Sequence, residues 1–139
     1  MNTIFKFFGS IQVWIYRVSG GKMGGTMAGF KVLLLTTIGR KSGKTHVVPL
    51  GYFARQGGYV IVASKGGAPT NPAWYYNIKD QPQVTVQIMD KVMSMSVEVL
   101  SGDARTQAWQ QVITDAPSYA AYEKRTTREI PLIMLREKK

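Results

Sequence analysis

The spacing of apolar residues changes along the chain, and each change predicts an element. Between Thr3 and Val18, Ile4, Phe7, Phe8, Ile11, Trp14, Ile15 and Val18 recur every three or four residues, which predicts a helix with one apolar side. Lys6, Ser10 and Arg17 lie off that stripe. Such a helix either packs on the domain or rests on a membrane surface. The run is too short and too interrupted to span a bilayer, and Trp14, Tyr16 and Arg17 break it as a signal peptide. Gly20, Gly21, Gly24, Gly25 and Gly29 then predict a flexible connector. Residues 1–29 are thus expected to form an N-terminal appendage to a domain spanning residues 30–139.

From Lys31 the period shortens. Val32-Leu33-Leu34-Leu35 is apolar at consecutive positions, as a strand buried on both faces requires, and that strand is expected over Lys31–Ile38. Gly39–Lys44 is a turn. Thr45–Phe53 is a second strand, with Pro49 pointing to an edge or a bulge. Gln56-Gly57-Gly58 predicts a hairpin into a third strand over Tyr59–Ser64. Asn71 before Pro72 reads as a capped helix start, with the helix running to Lys79. Val84–Met89 and Val92–Leu100 are the fourth and fifth strands, joined tightly through Asp90-Lys91. Asp103–Asp115 is a helix with Ala108, Trp109, Val112 and Ile113 on its apolar side. Pro117 ends it, and Ser118 begins a further helical turn or two. Glu129–Arg136 closes the chain as a sixth strand. The expected architecture is α+β but mainly β: a small closed or half-closed barrel of about six mostly antiparallel strands. An N-terminal helix and two helical insertions complete it.

Composition narrows the chemistry. A length of 139 residues accommodates one core. With no cysteine there is no disulfide, thiolate metal site or cysteine nucleophile. With His46 as the single histidine, a histidine-based metal site lacks ligands, so no metal is expected and His46 is assigned no role. Neither paired carboxylates nor a Ser-His-Asp set stands out. Charge is the strongest compositional feature. The formal net charge is +10, yet residues 1–79 contain ten bases and no acid, whereas residues 80–139 contain eight of each. The surplus therefore belongs to the first half, where an anionic partner is expected. Nucleic acid is not the expected partner, because only charge suggests it and no recognition helix, aromatic-decorated RNA-binding sheet motif or basic tail stands out.

Three clusters carry candidate chemistry. Gly39-Arg40-Lys41-Ser42-Gly43-Lys44 places three cations, a hydroxyl and two glycines on one turn, which suits a phosphate or carboxylate but equally suits a solvated tip. It lacks the spacing of a P-loop. Ser64-Lys65-Gly66-Gly67 leaves a strand with a hydroxyl, a cation and a backbone that a ligand can approach closely, then leads to Trp74, Tyr75 and Asn77. Tyr119 and Tyr122, three apart on a helix, project to one side as substrate-facing hydroxyls or as packing residues with wet tips.

In this order the pieces resemble the F420 (deazaflavin)-dependent nitroreductase family, within the split β-barrel flavin/deazaflavin oxidoreductases. The landmarks are Leu34–Gly43, Pro49-Leu50-Gly51-Tyr52, Val62–Gly67, Asn71–Asn77, Tyr119-Ala120-Ala121-Tyr122 and Arg125–Pro131, spanning about residues 10 to 135. The resemblance implies coenzyme F420, rather than FMN, as cofactor. It implies that Arg40, Lys41, Ser42, Gly43 and Lys44 meet the phosphate and glutamate tail, and that Pro49 and Tyr52 lie along the cofactor. Ser64, Lys65, Gly66 and Gly67, with Trp74, Tyr75 and Asn77, would surround the deazaflavin. Tyr119, Tyr122 and Ser64 would act on a planar, electron-poor acceptor such as a quinone, enone or nitroaromatic. The implied reaction is hydride transfer from F420H2, with a cofactor- or lipid-binding carrier on the same barrel as the alternative. A monomer or homodimer in the cytoplasm is implied, with peripheral membrane contact through residues 3–18. Lys6, Arg17, Lys22 and Lys31 would serve that contact. Two positions depart from the family: Ala116 stands where nitroimidazole-reducing members carry a third tyrosine, and Tyr76 where histidine is common.

Overall fold

A computed structural model describes residues 30–138 together with Val13, Tyr16, Arg17, Thr26 and Met27. Eight strands are formed: β1 (Thr26–Met27), β2 (Phe30–Ile38), β3 (Thr45–Gly51), β4 (Phe53–Arg55), β5 (Gly58–Val62), β6 (Gln83–Ile88), β7 (Lys91–Val99) and β8 (Leu132–Glu137). The helices are α1 (Ala73–Asp80), α2 (Gly102–Asp115) and α3 (Ser118–Lys124), with one 3-10 turn at Lys65–Gly67. The sheet runs β1-β2-β6-β7-β8-β5-β4, with β3 on β2 as well, and every pairing is antiparallel. This is the expected split barrel, with more and shorter strands than the six read from the sequence. The expected strand Thr45–Phe53 divides at Tyr52, whose N–H turns to donate to Lys31 O. Thr26–Met27, within the expected connector, pairs with Phe30–Lys31.

Burial explains why β2 is apolar at consecutive positions. Leu33 and Leu35 face the barrel interior, where they join Ile61, Val84, Val86, Met93, Met95, Ile133 and Leu135 beneath Trp74, Tyr75 and Ile78 of α1. Val32 and Leu34 face outward and are covered by Tyr16, which is fully buried. Strand β5 is treated the same way: Ile61 points inward, and Val60 and Val62 pack outward against Trp109, Val112 and Tyr119. Tyr16 and Val13, which pack on the domain, are not among the residues of the N-terminal stripe. The stripe residues Ile4, Phe7, Phe8, Ile11, Trp14, Ile15 and Val18, and with them the membrane-contact expectation, lie outside the described residues. Among the described residues no helix is long and apolar enough to cross a membrane.

Two local expectations are corrected. The β6–β7 turn is Met89-Asp90, one residue earlier than Asp90-Lys91, with Met89 in the left-handed region at φ 56°. Tyr16 secures it. Its hydroxyl accepts from Met89 N–H at 2.7 Å and donates to Gln87 O at 3.2 Å. At α1, Pro72 occupies the N-cap position, and no side chain caps the helix. Asn71 is engaged elsewhere, as described below.

Tyr16→Phe keeps the ring but removes both hydrogen bonds to the hairpin, so it is expected to lower stability by about 1–3 kcal/mol. Urea unfolding checks this, and an unchanged midpoint would show that the hairpin does not depend on Tyr16.

Candidate active site groove

Strands β3 and β5 approach each other without hydrogen-bonding: β3 pairs with β2 alone among the described residues. The seam between them is a groove of two adjoining cavities. The first, of about 430 Å³, is lined by Thr37, the turn residues Gly39, Arg40, Lys41 and Ser42, then His46 and Val48 of β3, and Ala73, Trp74 and Asn77 of α1. The second, of about 360 Å³, is lined by Val48–Gly51 of β3, Val62, Ser64, Lys65, Gly66, Pro72, Trp74, Tyr119 and Tyr122. Val48 and Trp74 belong to both walls and mark where the two halves meet.

The cationic half is built around a turn that folds on itself. Gly39 N–H donates to Lys44 O, Gly43 N–H to Gly39 O, and Lys44 N–H to Ser42 Oγ. A Cβ at Gly39 would lie 2.6 Å from Ser42 Oγ and 2.8 Å from His46 Nε2, so a larger residue there would have to push these side chains aside. Asn77 attaches the turn to α1. Its Oδ1 accepts from Arg40 N–H at 3.1 Å, while its Nδ2 donates to Thr37 Oγ1 at 3.2 Å. The Arg40 guanidinium lies 5.2 Å from the Tyr76 ring centroid, a cation–π stack that limits its rotamers. The three ion pairs among the described residues are Arg55–Asp115, Arg105–Glu129 and Arg136–Glu98. None involves Arg40, Lys41, Lys44 or Lys65, so these cations carry no acidic partner.

The second half is polar at one end and aromatic at the other. Its polar wall is the Ser64–Asn71 segment, and Arg128 holds that segment in place. The guanidinium donates to Ala63 O, Ser64 O, Ala68 O and Asn71 Oδ1, at 2.7–3.3 Å. This is where Asn71 is engaged; its Nδ2 also reaches Tyr76 Oη at 3.4 Å. The tie fixes an unusual backbone, with Lys65, Gly66 and Gly67 all at positive φ. A Cβ at Gly67 would lie 2.8 Å from Tyr122 O, so glycine lets this segment seat against α3. At the aromatic end, Tyr119 and Tyr122 meet edge to face, with centroids 5.4 Å apart and planes at 89°. Tyr119 is backed by Phe53 and is mostly buried. Burial, and secondarily Tyr122, pushes its hydroxyl above the ordinary tyrosine value, so Tyr119 keeps its proton at neutral pH.

Of the residues expected at a site, the groove gathers Arg40, Lys41, Ser42, Pro49, Ser64, Lys65, Gly66, Trp74, Asn77, Tyr119 and Tyr122. It does not gather Gly43, Lys44, Gly67, Tyr52 or Tyr75. Gly43 and Lys44 close the turn, and Gly67 packs on α3. Tyr52 stacks edge-on against Tyr59 at 5.4 Å, and Tyr75 lies in the barrel core. Asn77 lies in the cationic half rather than around the flat-ring half. His46, Val48 and Leu50 were not foreseen, although strand alternation puts the three on one face of β3. Arg128 was quoted only as part of a motif. Among the described residues no group of side chains could hold a metal ion.

A curled antiparallel barrel, open along one seam and cationic at one end of it, defines a split-barrel cofactor-binding protein. The fold alone is shared with the haem storage protein HutZ of Vibrio cholerae (TM-score 0.56, 16% identity, 78% of this chain and 82% of that one). Nearer relatives specify the class. The F420H(2)-dependent quinone reductase family profile matches residues 9–137. An F420H(2)-dependent quinone reductase of Mycobacterium tuberculosis is 35% identical over 125 residues, covering 87% of this chain and 84% of the relative. A solved structure of an F420-H2 dependent reductase, FDR-A, matches with TM-score 0.69 and 42% identity over 76% of this chain and 93% of that one. Another, described as a domain-swapped dimer, matches with TM-score 0.72 and 38% identity over 86% and 90% of the two chains. The chain belongs to the F420H(2)-dependent quinone reductase family, a family of oxidoreductases.

Arg128→Ala removes the guanidinium donor from Ala63 O, Ala68 O and Asn71 Oδ1, and from Ser64 O, which keeps the Gly67 N–H; it is expected to destabilise the protein by about 2 kcal/mol. Arg128→Lys, with three donors on one nitrogen, recovers only part of this. Urea unfolding of the two variants checks the ranking, and equal stability of the alanine variant and the parent would refute it.

Proposed function

We propose that the groove binds coenzyme F420 along its length and that the protein reduces a quinone with the reduced cofactor. The observation that carries this reading is the division of one groove into two chemically different halves. The 430 Å³ half has cations without acidic partners. The 360 Å³ half has a polar backbone segment, Trp74 and two tyrosines. A cofactor with a phosphate-and-glutamate tail and a flat ring needs that combination, in that order. Other residue patterns at a basic turn would serve an anion, but they would not place an aromatic slot directly beside it.

Each residue then has a physical task. Arg40 and Lys41 bind the anionic tail through charge-assisted hydrogen bonds. Tyr76 and Asn77 hold Arg40 before the tail arrives, which reduces the entropy lost on binding. Trp74, shared by both halves, presents a flat wall where tail and ring join. Ser64, Lys65 and Gly66 line one side of the ring slot, and Pro49 lines the other. When bound, the reduced deazaflavin supplies the hydride, so the protein itself needs neither metal nor nucleophile. Tyr119 and Tyr122 form the far wall, where a planar acceptor docks against the ring. A quinone oxygen gains negative charge as it is reduced, and a protonated tyrosine hydroxyl stabilises that charge by donating to it. The raised Tyr119 value suits a donor that must not ionise first. The same reasoning extends to enones and nitroaromatics, whose oxygens also gain charge.

Arg40→Ala and Lys41→Ala are each expected to weaken F420 binding by about 1.5–3 kcal/mol, followed through quenching of the protein's intrinsic fluorescence. Unchanged affinity at low salt would move the tail site elsewhere. Tyr119→Phe is expected to slow F420H2 oxidation by menadione while leaving cofactor affinity nearly unchanged. The opposite pattern would put Tyr119 against the cofactor rather than the acceptor. Binding of F420 with no oxidation of F420H2 over a broad quinone panel would replace the enzyme by a carrier.

A further inference from the structure

The cationic half of the groove contains one titratable residue with no assigned task. His46 stands on β3, directly across from Thr37 of β2. Its imidazole reaches over the Gly39 backbone: the space a Cβ would fill there lies 2.8 Å from Nε2 and 3.1 Å from Cδ2. The ring therefore lines the 430 Å³ cavity, on its β3 wall. The hydrogen bonds of the described residues include none to either ring nitrogen. The charged groups that share this cavity are Arg40 and Lys41 from the turn. Ser42 from the turn, Thr37 from β2 and Asn77 from α1 face it without charge. No acid faces it from any of these elements.

We propose that His46 is a proton-linked contact for the anionic tail of the cofactor, so that cofactor binding takes up a proton at this imidazole. The proposal rests on the F420 reading above. The ring shares the cavity with Arg40 and Lys41, and no acid lines it. An anion in the cavity gives the protonated ring a partner, to which it donates a charge-assisted hydrogen bond. Binding and protonation consequently favour each other, as linkage requires. The sign follows directly. Affinity rises as pH falls through the imidazole range, and it falls as the ring becomes neutral. Arg40 and Lys41 stay charged throughout and contribute a part that does not change with pH. An arginine at this position would give tight binding at every pH. Histidine makes the occupancy of the groove respond to pH.

The chain has a single histidine, which makes the test direct. The proton on its imidazole Cε1 gives one NMR signal, whose titration is followed in the free protein and in the protein saturated with F420. The expected result is a midpoint about one pH unit higher in the complex, equivalent to about a tenfold gain in affinity between the neutral and protonated ring. Fluorescence quenching then gives the dissociation constant across the same range for the parent, His46→Gln and His46→Arg. Because the cofactor has ionising groups of its own, the comparison is between slopes. The glutamine variant should lose the extra slope and bind like the parent at high pH. The arginine variant should bind tightly without it. His46 is exposed, so neither change threatens folding. An unmoved NMR midpoint, or a parent slope retained by His46→Gln, would overturn the inference while leaving the cofactor site standing. Failure of F420 to bind at any pH would overturn both.

Discussion

One unmade set of hydrogen bonds organises this molecule. Strand β3 approaches β5 but does not pair with it, while β5 is paired with β8 and β4. A barrel of this size gains stability by closing, since closure satisfies backbone groups and removes exposed edges. Here the seam is kept apart by what fills it. Trp74 enters from α1, and the Ser64–Asn71 segment forms a wall beside it. Pro49 helps the arrangement, because it removes one donor from the edge strand that would otherwise seek a partner. Everything described as a site lies along this opening.

The guanidinium groups divide into two populations, and the division gives the +10 charge its meaning. Arg55, Arg105 and Arg136 are paired with carboxylates, and Arg128 is engaged by four oxygens of one segment. These arginines hold the chain together. Arg40 is different: among the described residues only its backbone N–H and its aromatic stack are engaged, and it has no acidic partner. Lys41 beside it has no acidic partner either. Two neighbouring like charges on one turn repel each other, and an anionic ligand relieves that repulsion as it binds. The turn that carries these charges is held by neutral hydrogen bonds involving Asn77, Ser42 and Gly39.

How much of this could be read from the sequence depended on how local each cause is. Strand β2 was readable because Val32–Leu35 must be apolar on both faces, under Tyr16 outside and over the barrel core inside. The helices were readable from Trp109 and Val112, from Pro117, and from the residues around Pro72. The cation-bearing turn was readable from six consecutive residues. Arg128 was not, because its partners lie 57 to 65 residues away in sequence and are mostly backbone carbonyls, which carry no side-chain signature. The same remoteness misled the reading of Asn71. An asparagine before a proline suggests a helix cap, but the nearby guanidinium takes its oxygen instead. Tyr52 and Tyr75 lie outside the groove lining for another reason. Aromatic residues in a family motif serve either the ligand or the core, and only the three-dimensional neighbours, Tyr59 and the interior cluster, decide between them.

The same distinction applies to Ala116, which stands behind the aromatic end of the groove. Ala116 is buried, with 3% of its surface exposed, and it packs among Phe53, Trp109 and Val112. Its carbonyl accepts from Tyr119 N–H at the start of α3. It lines neither half of the groove. A larger side chain there would have to displace the packing behind Tyr119 before it reached the ring slot. Alanine at 116 therefore lets Tyr119 sit back against Phe53, at 5.9 Å between ring centroids, and leaves Tyr122 as the more exposed tyrosine. The two rings meet at 89°, so they form a corner rather than a flat stack. A corner admits a flat molecule against one ring while the other borders its edge. This end of the groove is thus bordered by two tyrosines that differ in burial, with Ala116 in the packing behind Tyr119.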